Sequence, residues 1–104
     1  MGEDLQIGQL VRSTAGRDKD YLFLVVQQVD ARTVLIADGN FRRVQNPKRK
    51  NARHLMPYPA VADDVQMELA KGNSIPDRQL RAALQRLVNA NGQLFQREVR
   101  ATYG

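Results

Sequence analysis

Fifteen residues, "FRRVQNPKRKNARHL" from Phe41 to Leu55, hold Arg42, Arg43, Lys48, Arg49, Lys50, Arg53 and His54, and no acid. Cations at this density suit one kind of chemistry. They draw in a polyanion and release its counterions, so binding weakens steeply with salt. Pro47 lacks a backbone donor and stops a ladder. "NPKRKN" therefore reads as a projecting loop, beyond a short strand "FRRVQ" with Arg42 and Arg43 at its edge. Three consecutive cations repel one another in an isolated loop, and a phosphate chain relieves that repulsion. The competing reading is a solvated loop or flexible linker.

A second basic stretch is "AGRDKD", residues 15–20. Ala15 and Gly16 permit a sharp turn and a close backbone approach. Arg17 and Lys19 flank Asp18 and suit phosphate contacts from a loop tip. The plainer alternative is a charged hairpin in which Arg17 and Lys19 pair with Asp18 and Asp20.

Catalysis has little to stand on. His54 is the one histidine and has basic neighbours rather than a carboxylate partner. The chain has no cysteine, so thiol chemistry, thiolate metal sites and disulfides are excluded. Asp63 and Asp64 sit at an expected helix start, where acids complement the dipole without any metal. No Ser-His-Asp set, phosphate-loop signature or paired-carboxylate arrangement is present. The expectation is a protein that is not an enzyme and needs no cofactor.

These residues require a scaffold. The chain has 104 residues, net charge +5, 42% hydrophobic and 26% charged residues, the profile of one modest soluble domain. Residues 1–56 carry 10 basic and 6 acidic groups; residues 57–104 carry 6 and 5. The positive excess therefore belongs to the first half. "QLVRST", "YLFLVVQQVD" and "TVLIAD" read as short strands, separated by "AGRDKD", "DART" and "DGN". "ADGN" is a hairpin or bulge signal, because Asp-Gly tolerates positive φ. "PYPAV" at 57–61 reads as a linker or elbow.

The period then changes. "VADDVQMELAKG" has near-helical spacing, with Lys71 and Gly72 as its stop. Leu80, Ala83, Leu84, Leu87 and Val88 recur on one face of a helix near 76–91, with Ser74 as a candidate cap and Gly92 as its end. Arg78, Arg81 and Gln85 share another face, either a solvated one or a second polyanion contact. The tail "QLFQREVRATYG" is a strand, a helical extension or a docked arm. The apolar stripes must bury against the sheet, each other or a partner.

Of the aromatics, Phe23 within "YLFLVV" reads as core, while Tyr21, Phe41 and Tyr58 lie near turns and are candidates for either base stacking or burial. The composition favours contact through phosphate and nucleic-acid shape over stacking. "MGEDLQIGQL" lacks the basic start and apolar run of a signal peptide. "YLFLVV" is far short of the roughly 20 apolar residues of a membrane span. A cytoplasmic protein without membrane association is expected.

The stretch "GQLVRSTAGRDKDYLFLVVQQVDARTVLIADG" resembles a KOW motif. The match is Gly8, a β run at 9–13, the small-Gly-basic turn "AGRDK", a hydrophobic strand, and a second strand ending at Asp38-Gly39. Residues 8–55 look closest to bacterial KOW-domain RNA-binding proteins, which are similar to large-subunit ribosomal proteins of archaea and eukaryotes. The family commonly has glycine after the lysine, where this chain has Asp20. If that position takes positive φ, aspartate tolerates it better than most residues but is strained.

The resemblance implies an SH3-like β-barrel over residues 1–56, followed by a helical C-terminal region over 57–104, α+β overall. It implies binding to RNA, ribosomal RNA first, through Arg12, Arg17, Lys19, Arg42, Arg43, Lys48, Arg49, Lys50 and Arg53. Arg17 and Arg42 are the candidates to reach bases. The alternative is a protein-interaction module of the translation or transcription machinery, docking through the helical half.

Overall fold

A computed structural model describes residues 5–92. The expectations for "QLFQREVRATYG" lie outside those residues. The order is β1 (Gln9–Ser13), β2 (Leu22–Gln28), β3 (Thr33–Ala37), β4 (Lys48–Asn51), a 3-10 turn (Ala52–His54), β5 (Leu55–Val61), α1 (Asp63–Ala70) and α2 (Asp77–Ala90). The five strands form one antiparallel sheet in the order β4-β3-β2-β1-β5. Register shifts at Gln9/Val11 in β1 and Val25/Gln27 in β2 interrupt the ladders, and irregularities of this kind bend a strand and increase its twist. Among the described residues no ladder joins β4 to β5, so the sheet is open. The architecture is α+β, as expected.

Both faces of the central strands are buried. Leu10, Leu22, Leu24 and Ala37 pack with Tyr58, Ala60, Val65, Leu80 and Ala83 under the helices. Val11, Phe23, Val25, Val34, Ile36 and Leu55 form a second cluster. This explains why "LFLV" is a continuous apolar run: a strand covered on both sides has no solvent face to alternate with.

Two segments differ from expectation. "PYPAV" is not an elbow but the greater part of β5. Pro57 and Pro59 are not buried while Tyr58 and Ala60 are, and among the described residues β5 pairs on one side only, with β1. An edge strand tolerates prolines because half its donors are not needed by a ladder. "FRRVQ" is not a strand; residues 41–47 connect β3 to β4. "KRKN", expected as a projecting loop, is β4 itself.

The helices follow their sequence signals more closely. α1 carries Asp63 and Asp64 in its first turn. It stops at Gly72, φ +84°, where Gly72 N donates to Leu69 O at 3.0 Å and Asn73 N to Glu68 O at 3.0 Å. This paired arrangement satisfies the final carbonyls and needs a left-handed residue, which glycine supplies. α2 starts after Pro76 rather than on a Ser74 cap, and its N-cap residue makes no side-chain capping hydrogen bond. Asn91 is its C-cap, so Gly92 takes the position just beyond it, where the sequence places the end. Leu80 and Ala83 are buried, and Leu84, Leu87 and Val88 are half-buried against the same cluster. The first half of the α2 stripe is thus buried in the core and the second half is partly covered. No helix among the described residues is long and apolar enough to cross a membrane.

Candidate nucleic-acid interface

The basic residues divide into two groups by the pleat of β4. Val34 pairs with Lys50 and Ile36 with Lys48, so both lysines share the face of the second apolar cluster. Arg49 and Asn51 point the other way. Lys50 is buried, at 8% exposure, and Asp18 is completely buried. Lys50 Nζ donates to Asp18 Oδ1 at 2.9 Å and to Ala15 O at 2.8 Å. Lys48 Nζ lies 3.0 Å from Asp18 Oδ2, and Ser13 Oγ donates to Asp18 Oδ1 at 2.7 Å. Burial alone would push the Asp18 carboxyl up. The hydrogen bonds from Lys50, Ser13 and Lys48, with the Lys50 charge, outweigh it and hold the carboxyl down at about 2. Lys50 is therefore not presented to solvent, and Lys48, partly exposed, is engaged by the same carboxylate. They clamp the turn between β1 and β2 onto β4.

That clamp decides what the turn presents. With Asp18 turned inward, it does not pair with Arg17 or Lys19, and both are exposed. Asp20 pairs with Arg12 instead, Nη1 to Oδ1 at 3.1 Å, while Arg12 Nη2 lies 3.1 Å from Met56 Sδ. Arg12 is half-buried and tied into the sheet. Asp20 has φ +74°, the left-handed conformation anticipated for it, and its N–H donates to Ser13 O at 2.7 Å. The position is one where glycine would be unstrained.

Backbone hydrogen bonds stitch the neighbouring connections together. Thr14 N donates to His54 O at 2.9 Å, and Ala52 N to Arg32 O at 2.7 Å. The Asn51 side chain accepts from Arg53 N at 3.0 Å and caps the 3-10 turn. The turn at 14–20, the 3-10 turn and the β2–β3 turn are thus fixed side by side. Arg17, Lys19, Arg53 and Arg32, all exposed, lie on these three segments. Ala31, Arg32, Asn51, Ala52 and Arg53 line an open groove between the last two. Arg32 is not among the residues that the sequence singles out. Its one signal is its place in the "DART" turn, where it passes for punctuation between strands.

Arg42 and Arg43 belong to the β3–β4 connection, half-buried and exposed respectively. This connection is held rigidly. Asp38 Oδ1 accepts from Asn40 N at 3.0 Å and Arg42 N at 2.7 Å. Asp77, at the start of α2, accepts from Val44 N at 2.8 Å, and Arg81 Nη1 donates to Gly39 O at 2.6 Å. A Cβ on Gly39 would stand 2.5 Å from Asp77 O, so only glycine allows this approach, and its φ is +80°. One function of α2 is therefore visible: it pins the loop that carries Phe41, Arg42 and Arg43. Tyr58 is buried, whereas Tyr21 and Phe41 are exposed.

The chain matches no protein-family model. It is 40% identical over 60 residues to the "Putative ribosome-binding protein YbzG" of Bacillus subtilis (strain 168), a match spanning 58% of this chain and 81% of that protein. The chain belongs to the YbzG family. In this member, the nine cations picked out from the sequence are not one surface. Lys48 and Lys50 are turned inward and Arg12 is tied to Asp20. Arg17, Lys19, Arg43, Arg49 and Arg53 are exposed, with Arg42 between the two groups.

Proposed function

We propose that this protein is a non-enzymatic, ribosome-associated RNA-binding protein, with a cytoplasmic site of action. Its scaffold is an open form of the SH3-like KOW barrel, and ribosomal RNA is its partner. The observation that carries the reading is the fate of Asp18. A buried carboxylate takes up Lys48 and Lys50. It leaves Arg17 and Lys19 without a carboxylate among the described residues, on a turn fixed beside Arg53 and Arg32. Exposed cations on a rigid row of turns are suited to successive phosphates. Kinship with YbzG supports the ribosome as the setting. The protein-docking alternative would have to use what remains of the α2 stripe, since Leu80 and Ala83 are buried and Leu84, Leu87 and Val88 are half-buried.

The test is a fluorescence titration of ribosomal RNA across a salt series, with wild type and a variant carrying Arg17→Glu, Lys19→Glu and Arg53→Glu. Removing one phosphate contact should flatten the log–log salt slope by about 0.7–0.9. The triple variant should therefore bind more weakly and show a slope flatter by about 2. Absence of binding at low salt, or an unchanged slope in a folded variant, refutes the reading.

A further inference from the structure

Tyr21 and Phe41 are large aromatic side chains left on the surface, 39% and 56% exposed. They come from different connections, Tyr21 from the end of the β1–β2 turn and Phe41 from the β3–β4 loop. Their rings touch edge to face, with centroids 5.1 Å apart and planes at 70°. Both connections are held by the contacts described above. Asp18 and its lysines clamp the first; Asp77, Arg81 and Gly39 fix the second. Edge-to-face packing fixes one ring against the other and leaves ring surface open to solvent. A rigid, exposed aromatic pair has little folding value compared with the same rings buried.

The surroundings favour one occupant. Lys19 lies two residues before Tyr21, and Arg42 and Arg43 directly follow Phe41. Asp20 is engaged by Arg12, and Asp38 is engaged by backbone N–H groups. The local balance is positive around an apolar face. That combination suits a nucleobase, whose flat ring stacks while its flanking phosphates meet cations. An aliphatic protein surface has no use for the charges.

Resting on the RNA-binding reading above, we infer that the Tyr21–Phe41 pair is a stacking platform for an unpaired base. The RNA it recognises then carries a bulged, looped or single-stranded nucleotide, because a base inside a duplex has no free face to offer. This departs from the phosphate-and-shape mode that composition alone suggests. Phe41 is the principal contact, being the more exposed, and Tyr21 supports it.

The experiment uses the full chain at low salt. The probes are a 20-nucleotide oligoadenylate carrying one 2-aminopurine and a 20-base-pair RNA duplex. Wild type should quench 2-aminopurine fluorescence and bind the single strand more tightly. Phe41→Leu keeps an apolar side chain but loses the ring. It should weaken single-strand binding about ten-fold and abolish the quench, with duplex binding unchanged. Phe41→Trp should restore both, and a melting temperature near wild type shows that Phe41→Leu is folded. If wild type binds both RNAs and Phe41→Leu changes neither, the platform is overturned and the RNA-binding reading stands. If wild type binds neither RNA, the platform is overturned, and the ribosomal-RNA titration above decides the RNA-binding reading separately. If Phe41→Leu leaves both RNA curves unchanged but weakens capture of whole ribosomes, the patch meets a ribosomal protein and the platform is again overturned.

Discussion

Asp18→Asn isolates the clamp with almost no change in volume. The carboxylate accepts from Ser13 and Lys50 on Oδ1 and faces Lys48 on Oδ2. An amide has one accepting oxygen, so its NH2 must face a lysine. Lys50 is then left at 8% exposure beside Ala15 O without its counter-charge. Removing one partner of a buried pair typically costs about 3–5 kcal/mol. Lys48 is less enclosed, with 27% of its side chain exposed, so the lower end, about 3 kcal/mol, applies. For a domain near 100 residues this lowers the melting temperature by roughly 10–20 °C. At a urea slope of about 1.5 kcal/mol/M it moves the midpoint by about 2 M.

The same residue sets a pH dependence. Asp18 is held at about 2 against 3.8 for a free carboxyl. A depressed carboxyl stabilises the fold above its unfolded value, and that contribution is lost as pH falls through the folded value. The difference is worth about 2 kcal/mol, shed between roughly pH 4 and pH 2. The amide introduced by Asp18→Asn does not titrate, so the gap between wild type and variant should narrow across that window. Urea melts followed by far-UV circular dichroism at several pH values measure both effects. A double-mutant cycle with Lys50→Met should give a coupling of at least about 1 kcal/mol. An Asp18→Asn variant within about 0.5 kcal/mol of wild type at neutral pH refutes the clamp, since that is the scale of an ordinary surface change.

Charge reversal should follow the pleat of β4: Lys50→Glu prevents folding or lowers the melting temperature severely, while Arg49→Glu shifts it by no more than a few degrees, both read by thermal melts. Two glycines with similar φ separate strain from collision. Gly72→Ala, with nothing within 4 Å of the added carbon, should cost about 1 kcal/mol, whereas Gly39→Ala, which meets Asp77 O at 2.5 Å, should cost at least twice that in urea melts.

Legibility in the sequence follows locality. β1, β2 and β3 are legible because strand composition and turn residues lie within a few positions of each other. The helices are legible for the same reason, since a 3.6-residue stripe and a Lys-Gly stop are local patterns. "PKRKN" misleads because its decisive partner, Asp18, lies 32 residues from Lys50. Without that acid, adjacent cations look like a repelling loop. The corrective signal is the period of two: Lys48 and Lys50 can share a face only if Arg49 takes the other. "PYPAV" misleads because proline ordinarily breaks a strand, whereas β5 lies at the sheet edge, where prolines are tolerated and discourage pairing with another chain.

Counting cations therefore measures the charge available to a polyanion poorly in this chain, because part of the count is folding machinery. The two groups should also respond differently to salt. At about 0.15 M the screening length is near 8 Å, and exposed charges are screened far more than buried pairs. Arg17, Lys19 and Arg53 are exposed, while Asp18 and Lys50 meet within the protein. On the proposed RNA-binding reading, raising salt should release RNA while the turn stays clamped and Tyr21 and Phe41 stay in place. A loss of binding at high salt, accompanied by an unchanged circular dichroism spectrum, belongs to the presented cations. A loss of binding on mutating Lys48 or Lys50 does not report on contact, because the surface that would make the contact no longer has its support.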